Sequence, residues 1–226
     1  MISSPSIRRY AALAVLPPLI AFGSLIAMAM SDYPGGTWEE PGAQGHSQVR
    51  NFLCDLTRPT AINGVPNASG SRYAELGLLA YAVALIPFFL ILPAVFPDRR
   101  KTGRLAAVAG VLAGLGGIGI VLVPSWRFGA LLHGAAVLLA AIPGLTAAVS
   151  ATVGVFTTRT SIRPIRAAAL ATLVVTALAV VVFALQLARG AETTPGLPVL
   201  EKLALGCSIA WMALTVATVY PQRAAG

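Results

Sequence analysis

The run Leu105-Ala-Ala-Val-Ala-Gly110-Val-Leu-Ala-Gly114-Leu-Gly-Gly117-Ile-Gly-Ile-Val-Leu-Val123 decides the fold. It is nineteen residues long and holds no charged, hydroxyl or amide side chain. A bilayer core takes about 20 apolar residues per helix, so this run reads as a membrane span. Its glycines explain how such a span finds a neighbour. Gly103, Gly110, Gly114 and Gly117 repeat at helical spacing, with Gly110 and Gly114 four apart. In lipid, helices associate where small residues let their backbones approach.

Outward from this run the same pattern recurs. Six segments qualify as spans: about 10–30, 74–96, 105–123, 128–151, 167–187 and 200–220. The expected fold is therefore all-α: one polytopic membrane helix bundle of six transmembrane helices, with short turns between antiparallel neighbours after the second. Composition agrees, at 57% hydrophobic and 11% charged residues among 226, with mean hydropathy +0.80. Soluble domains carry about 25% charged residues. The fourth segment has a small-residue row of its own, Gly129, His133, Ala136, Ala140, Gly144 and Ala147. That row predicts a packed face with His133 turned into the bundle, and Pro143-Gly144 is where a break is expected.

The net charge of +8 invites a nucleic-acid reading, which the placement of the charges excludes. One set of segment ends holds ten Lys and Arg (Arg8, Arg9, Arg99 to Lys101, Arg104, Arg159, Arg163, Arg166, Arg223) against Asp98, a sum of +9. The other holds six basic and seven acidic residues, a sum of −1. By the positive-inside rule both termini are expected in the cytoplasm of a multi-pass plasma (inner) membrane protein, with lipids as its partners. Arg8-Arg9 followed by Ala27-Met28-Ala29 resembles a signal peptide. An apolar run of about twenty residues exceeds the usual h-region of about 7–15, so an uncleaved helix is expected. Cys54 and Cys207 read as two unpaired thiols.

One polar stretch, 31–73, interrupts the hydrophobicity, and on this orientation it is a long first extracytoplasmic loop. Tyr33-Pro34-Gly35-Gly36 reads as a turn and Trp38 as an interface anchor. From His46 to Arg58 the spacing of Val49, Phe52, Leu53 and Leu56 predicts a short amphipathic helix, with Gln48, Asn51, Asp55 and Arg58 on its polar face. It would lie as a lid across the bundle mouth. Ser71 is the expected N-cap of the second span, and Asn67-Ala68-Ser69 matches a glycosylation sequon, read as a chance match.

Ionisable groups in or at a membrane are costly and mark candidate sites. Glu75, Arg127, His133, Gln186, Glu201 and Lys202 all fall near the loop end of their spans. The inner halves offer only hydroxyls such as Ser150, Thr172 and Thr215. This gradient suits an outward-facing cavity better than a through-pathway, which needs polar groups at every depth.

Several short motifs resemble a known family. They are Gly35-Gly36, Asn51-Phe52-Leu53-Cys54-Asp55-Leu56, Val123-Pro124 and Leu132-His133-Gly134-Ala135-Ala136. With the six-span layout they make the whole chain similar to the bacterial six-helix membrane proteins of domain-of-unknown-function family 998. Those are in turn similar to the Frag/DRAM/Sfk group. The resemblance implies fold and topology, with no assigned activity, and leans weakly toward a lipid-related role.

Two functions follow. In one, an outward cavity under the loop binds a lipid headgroup or small amphiphile, using Asn51, Arg58, Glu75, Arg127, Gln186, Glu201 and Lys202 as ligand-binding residues. In the other, an intramembrane lipid hydrolase or transferase uses His133 as general base with Asp55 as its orienting partner. Two histidines, with no HExxH and no nucleophile elbow, lead to no expected metal or other cofactor. A transporter or channel is disfavoured by the apolar inner half and the lack of repeats. The test between these readings is proximity: Asn51 or Asp55 should lie near His133.

Overall fold

The computed structural model describes residues 9–10, 12–158, 162–190 and 194–219. Among them the secondary structure is helical, with only two isolated bridges, Gly35 to Gln44 and Thr60 to Pro66. Six α-helices follow one another: α1 (Leu16–Asp32), α2 (Ala68–Val95), α3 (Arg100–Leu122), α4 (Ser125–Thr157), α5 (Arg163–Ala188) and α6 (Leu197–Val219). A five-residue 3₁₀ helix, Leu53–Thr57, lies in the loop, and a 3₁₀ turn, Pro97–Arg99, joins α2 to α3.

Five of these helices, α2 to α6, are long and apolar enough to cross a membrane. The first is shorter than the sequence predicts. Its apolar run begins at Tyr10, but the continuous helix starts only at Leu16, with Pro17 and Pro18 in its first turn. Proline lacks the N–H that would bond back to the preceding turn, so the chain loosens at Ala14 and Val15. Seventeen residues at 1.5 Å each span about 25 Å, a little less than a bilayer core of about 30 Å. The stretch 159–161, which includes Arg159, and the C-terminal end with Arg223 lie outside the described residues.

Each α-helix packs on its neighbour in the chain, most extensively α3 on α2 and on α4. The glycine row of α3 is the reason. A Cβ on Gly110 would overlap the Phe89 ring, one on Gly114 would press Ile86 and Ala82, and one on Gly103 would meet the Pro93 backbone. The row on α4 turns the other way, onto α3: a Cβ on Gly116 would meet Ala140, and Gly144 stands beside Ala113. α6 joins this core through large side chains. Trp211 meets Phe88 edge-on, with ring centroids 4.9 Å apart, and Met212 and Val216 are buried around it.

The break in α4 is not at Pro143. The helix runs through that proline, and the one non-helical residue inside it is Gly129, at φ 83° and ψ 160°. A proline inside a packed helix forfeits one hydrogen bond, which neighbours tolerate. That backbone conformation is open to glycine alone.

The loop is not a separate unit. Tyr33, Leu53, Leu56 and Ala61 form a small apolar core with Phe22, Ile26 and Ala29 of α1 and Ala74 of α2. The predicted amphipathic α-helix over 46–58 is absent. Phe52 is extended, at ψ 159°, and only Leu53–Thr57 coils, as a 3₁₀ helix. The expected faces are mixed as well: Leu53 and Leu56 are buried as predicted, but Val49 is 60% exposed and the polar Asn51 and Asp55 are buried. These two side chains bond to the backbone N–H groups of Ser47 and Phe52 and so compete with an α-helical ladder. The N-cap of α2 is Asn67, four residues ahead of the expected Ser71.

Candidate functional site

Gly35 and Gly36 set the shape of the loop. Both have positive φ, 133° and 87°, and a Cβ on either would run into backbone of residues 43–45 or 62–63. Only glycine fits where chain segments approach this closely. The doublet leaves the Gly36 carbonyl pointing inward, where it accepts from the Asn51 side-chain amide at 2.9 Å and from the Tyr33 hydroxyl at 3.4 Å.

Asn51 is the hub, with no exposed surface. Its Oδ1 accepts from the Ser47 N–H at 2.9 Å, and its Nδ2 also donates to Asp55 Oδ2 at 3.4 Å. Asp55 closes the network. Oδ2 accepts from the Phe52 N–H at 2.8 Å, and Oδ1 from the Trp38 indole N–H at 3.1 Å. The Arg58 guanidinium lies over the same Trp38 ring, 5.4 Å from its centroid. Burial raises the Asp55 carboxyl above its ordinary value, while the hydrogen bonds from Phe52, Trp38 and Asn51 and the charge of Arg58 pull it back.

Two residues of α6 pin this network to the bundle. Glu201 Oε2 accepts from the Leu53 N–H at 2.9 Å. The Lys202 ammonium donates to the Asn51 carbonyl, and to the Pro198 carbonyl at 3.3 Å. A loop backbone with unmet donors and acceptors is thus completed by side chains some 150 residues later.

His46 is different in kind. Its ring stands edge-on to Tyr33, with centroids 6.2 Å apart, and neither ring nitrogen, both buried, has a hydrogen-bond partner. Burial, helped by the charge of Lys202, lowers its pKa from 6.5 to about 4. The Nε of Arg58 is likewise buried without a partner. Burial pushes the Cys54 thiol well above its ordinary value, with Asp55 and Glu201 adding to the effect, so this free cysteine is not poised as a nucleophile.

His133 is buried, as its place in the small-residue row predicts, but its partner is structural. Its Nδ1 lies 2.7 Å from the carbonyl of Val123, the residue that ends α3. A carbonyl only accepts, so Nδ1 carries the proton. The next N–H groups along the chain, of Arg127 and Phe128, go to the Pro124 carbonyl instead. His133 therefore closes the α3–α4 turn, and the Gly129 break allows it to do so. Val123-Pro124 and Leu132-His133, separate motifs in the sequence, are two halves of one feature.

Of the nine candidate residues, the structure gathers five: Asn51, Asp55, Arg58, Glu201 and Lys202. Asp55 bonds to Trp38, Phe52 and Asn51 and His133 to the Val123 carbonyl, so the expected base–carboxylate hydrogen bond is not among those of the described residues. Glu75 is half-buried in the second turn of α2, and Arg127 is exposed over the Phe128 ring, 5.4 Å away. Neither joins the cluster among the described residues. Gln186 is buried near the end of α5. The Asn67 amide is buried and donates to the carbonyls of Leu56 and Arg58, so the sequon residue is a loop staple. Among the described residues no three of His, Cys, Asp and Glu are grouped to hold a metal ion.

Sequence reasoning underrated Trp38, Tyr33 and His46. The available signal was the glycine doublet, since two adjacent glycines beside a tyrosine mark a tight turn that needs buried partners. No protein-family profile, curated protein or solved structure matches the chain.

Proposed function

We propose that the chain is a six-span plasma-membrane protein with cytoplasmic termini, of the kind its short motifs resemble. Its outer loop is a fixed cap that holds the polar headgroup of a lipid or small amphiphile. The six apolar segments and the +9 against −1 charge split support the topology. α1 reaches across by local bilayer thinning and by snorkelling of flanking residues, as short spans do.

One observation carries the binding reading: hydrogen-bonding capacity left over in the cap, on His46 and Arg58 as well as on the Asn67 carbonyl oxygen. Asn51 and Asp55 satisfy one another and the backbone, so they shape the site. His46 has two free ring nitrogens, Arg58 a free Nε, and Lys202 one N–H beyond its two bonds. Buried polar groups without partners are rare and call for an explanation. Donors on two cations and a neutral imidazole fit a phosphate-bearing headgroup.

Native mass spectrometry of the detergent-purified protein tests this. Wild type is expected to retain a phospholipid, and the His46→Ala/Arg58→Ala double variant to lose about tenfold in occupancy. A lipid-free wild type, or equal retention by the folded variant, overturns the reading.

A further inference from the structure

The end of the molecule opposite the loop carries a second feature. α6 packs on α5 along its length but meets α1 only slightly. On the loop side, Glu201 and Lys202 bridge the seam between α6 and the loop. At the other end the seam is open, and a groove of about 340 Å³ lies there, lined by Leu13 and Leu16 on one side and Ala213, Val216 and Ala217 on the other. Every wall is an aliphatic side chain, so the groove offers apolar contact and almost no hydrogen-bonding group. Its size follows from the sequence: Pro17 and Pro18 loosen the chain beside Leu13, and two alanines face it where larger residues would fill the gap.

Charge selects the occupant. The groove lies within about a turn of Arg9, at the same end as Arg99, Arg100, Lys101, Arg104 and Arg166, with Asp98 the one acid there among the described residues. At about 30 Å³ for each water-sized group, the groove takes on the order of ten methylenes. The geometry points to a lateral lipid site: one acyl chain of an anionic phospholipid from the leaflet at the basic end lies between α1 and α6, with its headgroup among the arginines. The site is independent of the headgroup reading of the loop end and stands if that reading fails.

The probe is phosphatidylglycerol carrying a benzophenone on one acyl chain, reconstituted with the full chain and irradiated. Crosslinks are expected to concentrate on residues 13–16 and 213–217, and to fall at least threefold when the same label is carried on phosphatidylcholine. The Ala213→Phe/Ala217→Phe variant fills the groove and is expected to lose these crosslinks about tenfold, while His46→Ala/Arg58→Ala keeps them. Labelling spread evenly around the bundle, or equal labelling by the zwitterionic lipid, would each overturn the assignment. The unmodified protein supplies the decisive reading even if the filled variant does not fold.

Discussion

The cap and the bundle beneath it solve burial in opposite ways. In the bundle, α2, α3 and α4 meet through glycine and alanine against aromatic rings, and shape does the work: Phe89 occupies the space that a Cβ on Gly110 would take. In the cap the buried side chains include Asn51, Asp55, Thr37, Thr57 and Asn67, and hydrogen bonds hold the chain in place. The difference follows from the backbone. A helix satisfies its own N–H and C=O groups and needs only fit from its neighbour. A loop of turns cannot, so it buries polar side chains to complete it. Damage to the cap should therefore show in polar substitutions, and damage to the bundle in volume changes.

The largest effect is expected from Asp55→Ala. It removes the acceptor for three N–H donors, those of Trp38, Phe52 and Asn51, and should cost the cap about 3 kcal/mol. Hydrogen exchange over 33–66 should rise sharply while exchange in α3 and α4 stays put; unchanged loop exchange would show that the network does not hold the cap. Gly110→Ala should reverse that pattern. It costs about 1–3 kcal/mol of bundle stability by overpacking against Phe89, read as a lower melting midpoint in detergent. Gly119→Ala, where a Cβ meets nothing within 4 Å, is its neutral control.

Acidification should loosen the cap by about tenfold in exchange rate. The folded-state pKa of His46 is lowered from 6.5 to about 4, so its contribution is present above pH 6.5 and is lost as pH falls toward 4. Asp55 acts in the opposite sense. Its folded-state value is raised, so its contribution is present at low pH and is lost as pH rises through that value. His46→Phe should abolish the acid loosening, and a variant that still loosens by the same factor would place the effect elsewhere.

His133→Phe should cost about 1 kcal/mol, by leaving the Val123 carbonyl without its donor. The change should appear as faster exchange at the α3–α4 turn and leave the cap alone; a matching change over 47–57 would revive a link between His133 and Asp55. Arg50→Ala should do least, about 0.5 kcal/mol or below, since its pairs with Glu39 and Glu40 are half-exposed.

The helices and their packing faces were legible because span length and small-residue spacing are local signals. The glycine row of α3 could be assigned to an interface before any partner was known. The cap was legible only as a place. Its amphipathic spacing pointed to a helix, but Asn51 and Asp55 bind backbone groups at short range and buried the face that looked solvated. Glu201 and Lys202 were recognisable as polar residues near a helix start. That they grip Leu53 and Asn51 depends on a contact across the whole chain, which no local pattern encodes. Asp55 and His133 were linked because both are polar and near one end, yet each has a nearer partner of its own.

The bond from the Leu53 N–H to Glu201 joins residues 148 positions apart. At about 5–20 residues per second, synthesis takes on the order of 10–30 s to supply the second partner after the first. During that interval the loop can pack against α1 and α2, but Leu53 and Asn51 are still unclasped. The cap is thus finished last, when α6 arrives, and its closure is the point at which a correctly inserted chain differs from one whose final helices went astray. A quality-control protease would find its clearest target in the unclasped loop of such a failed chain.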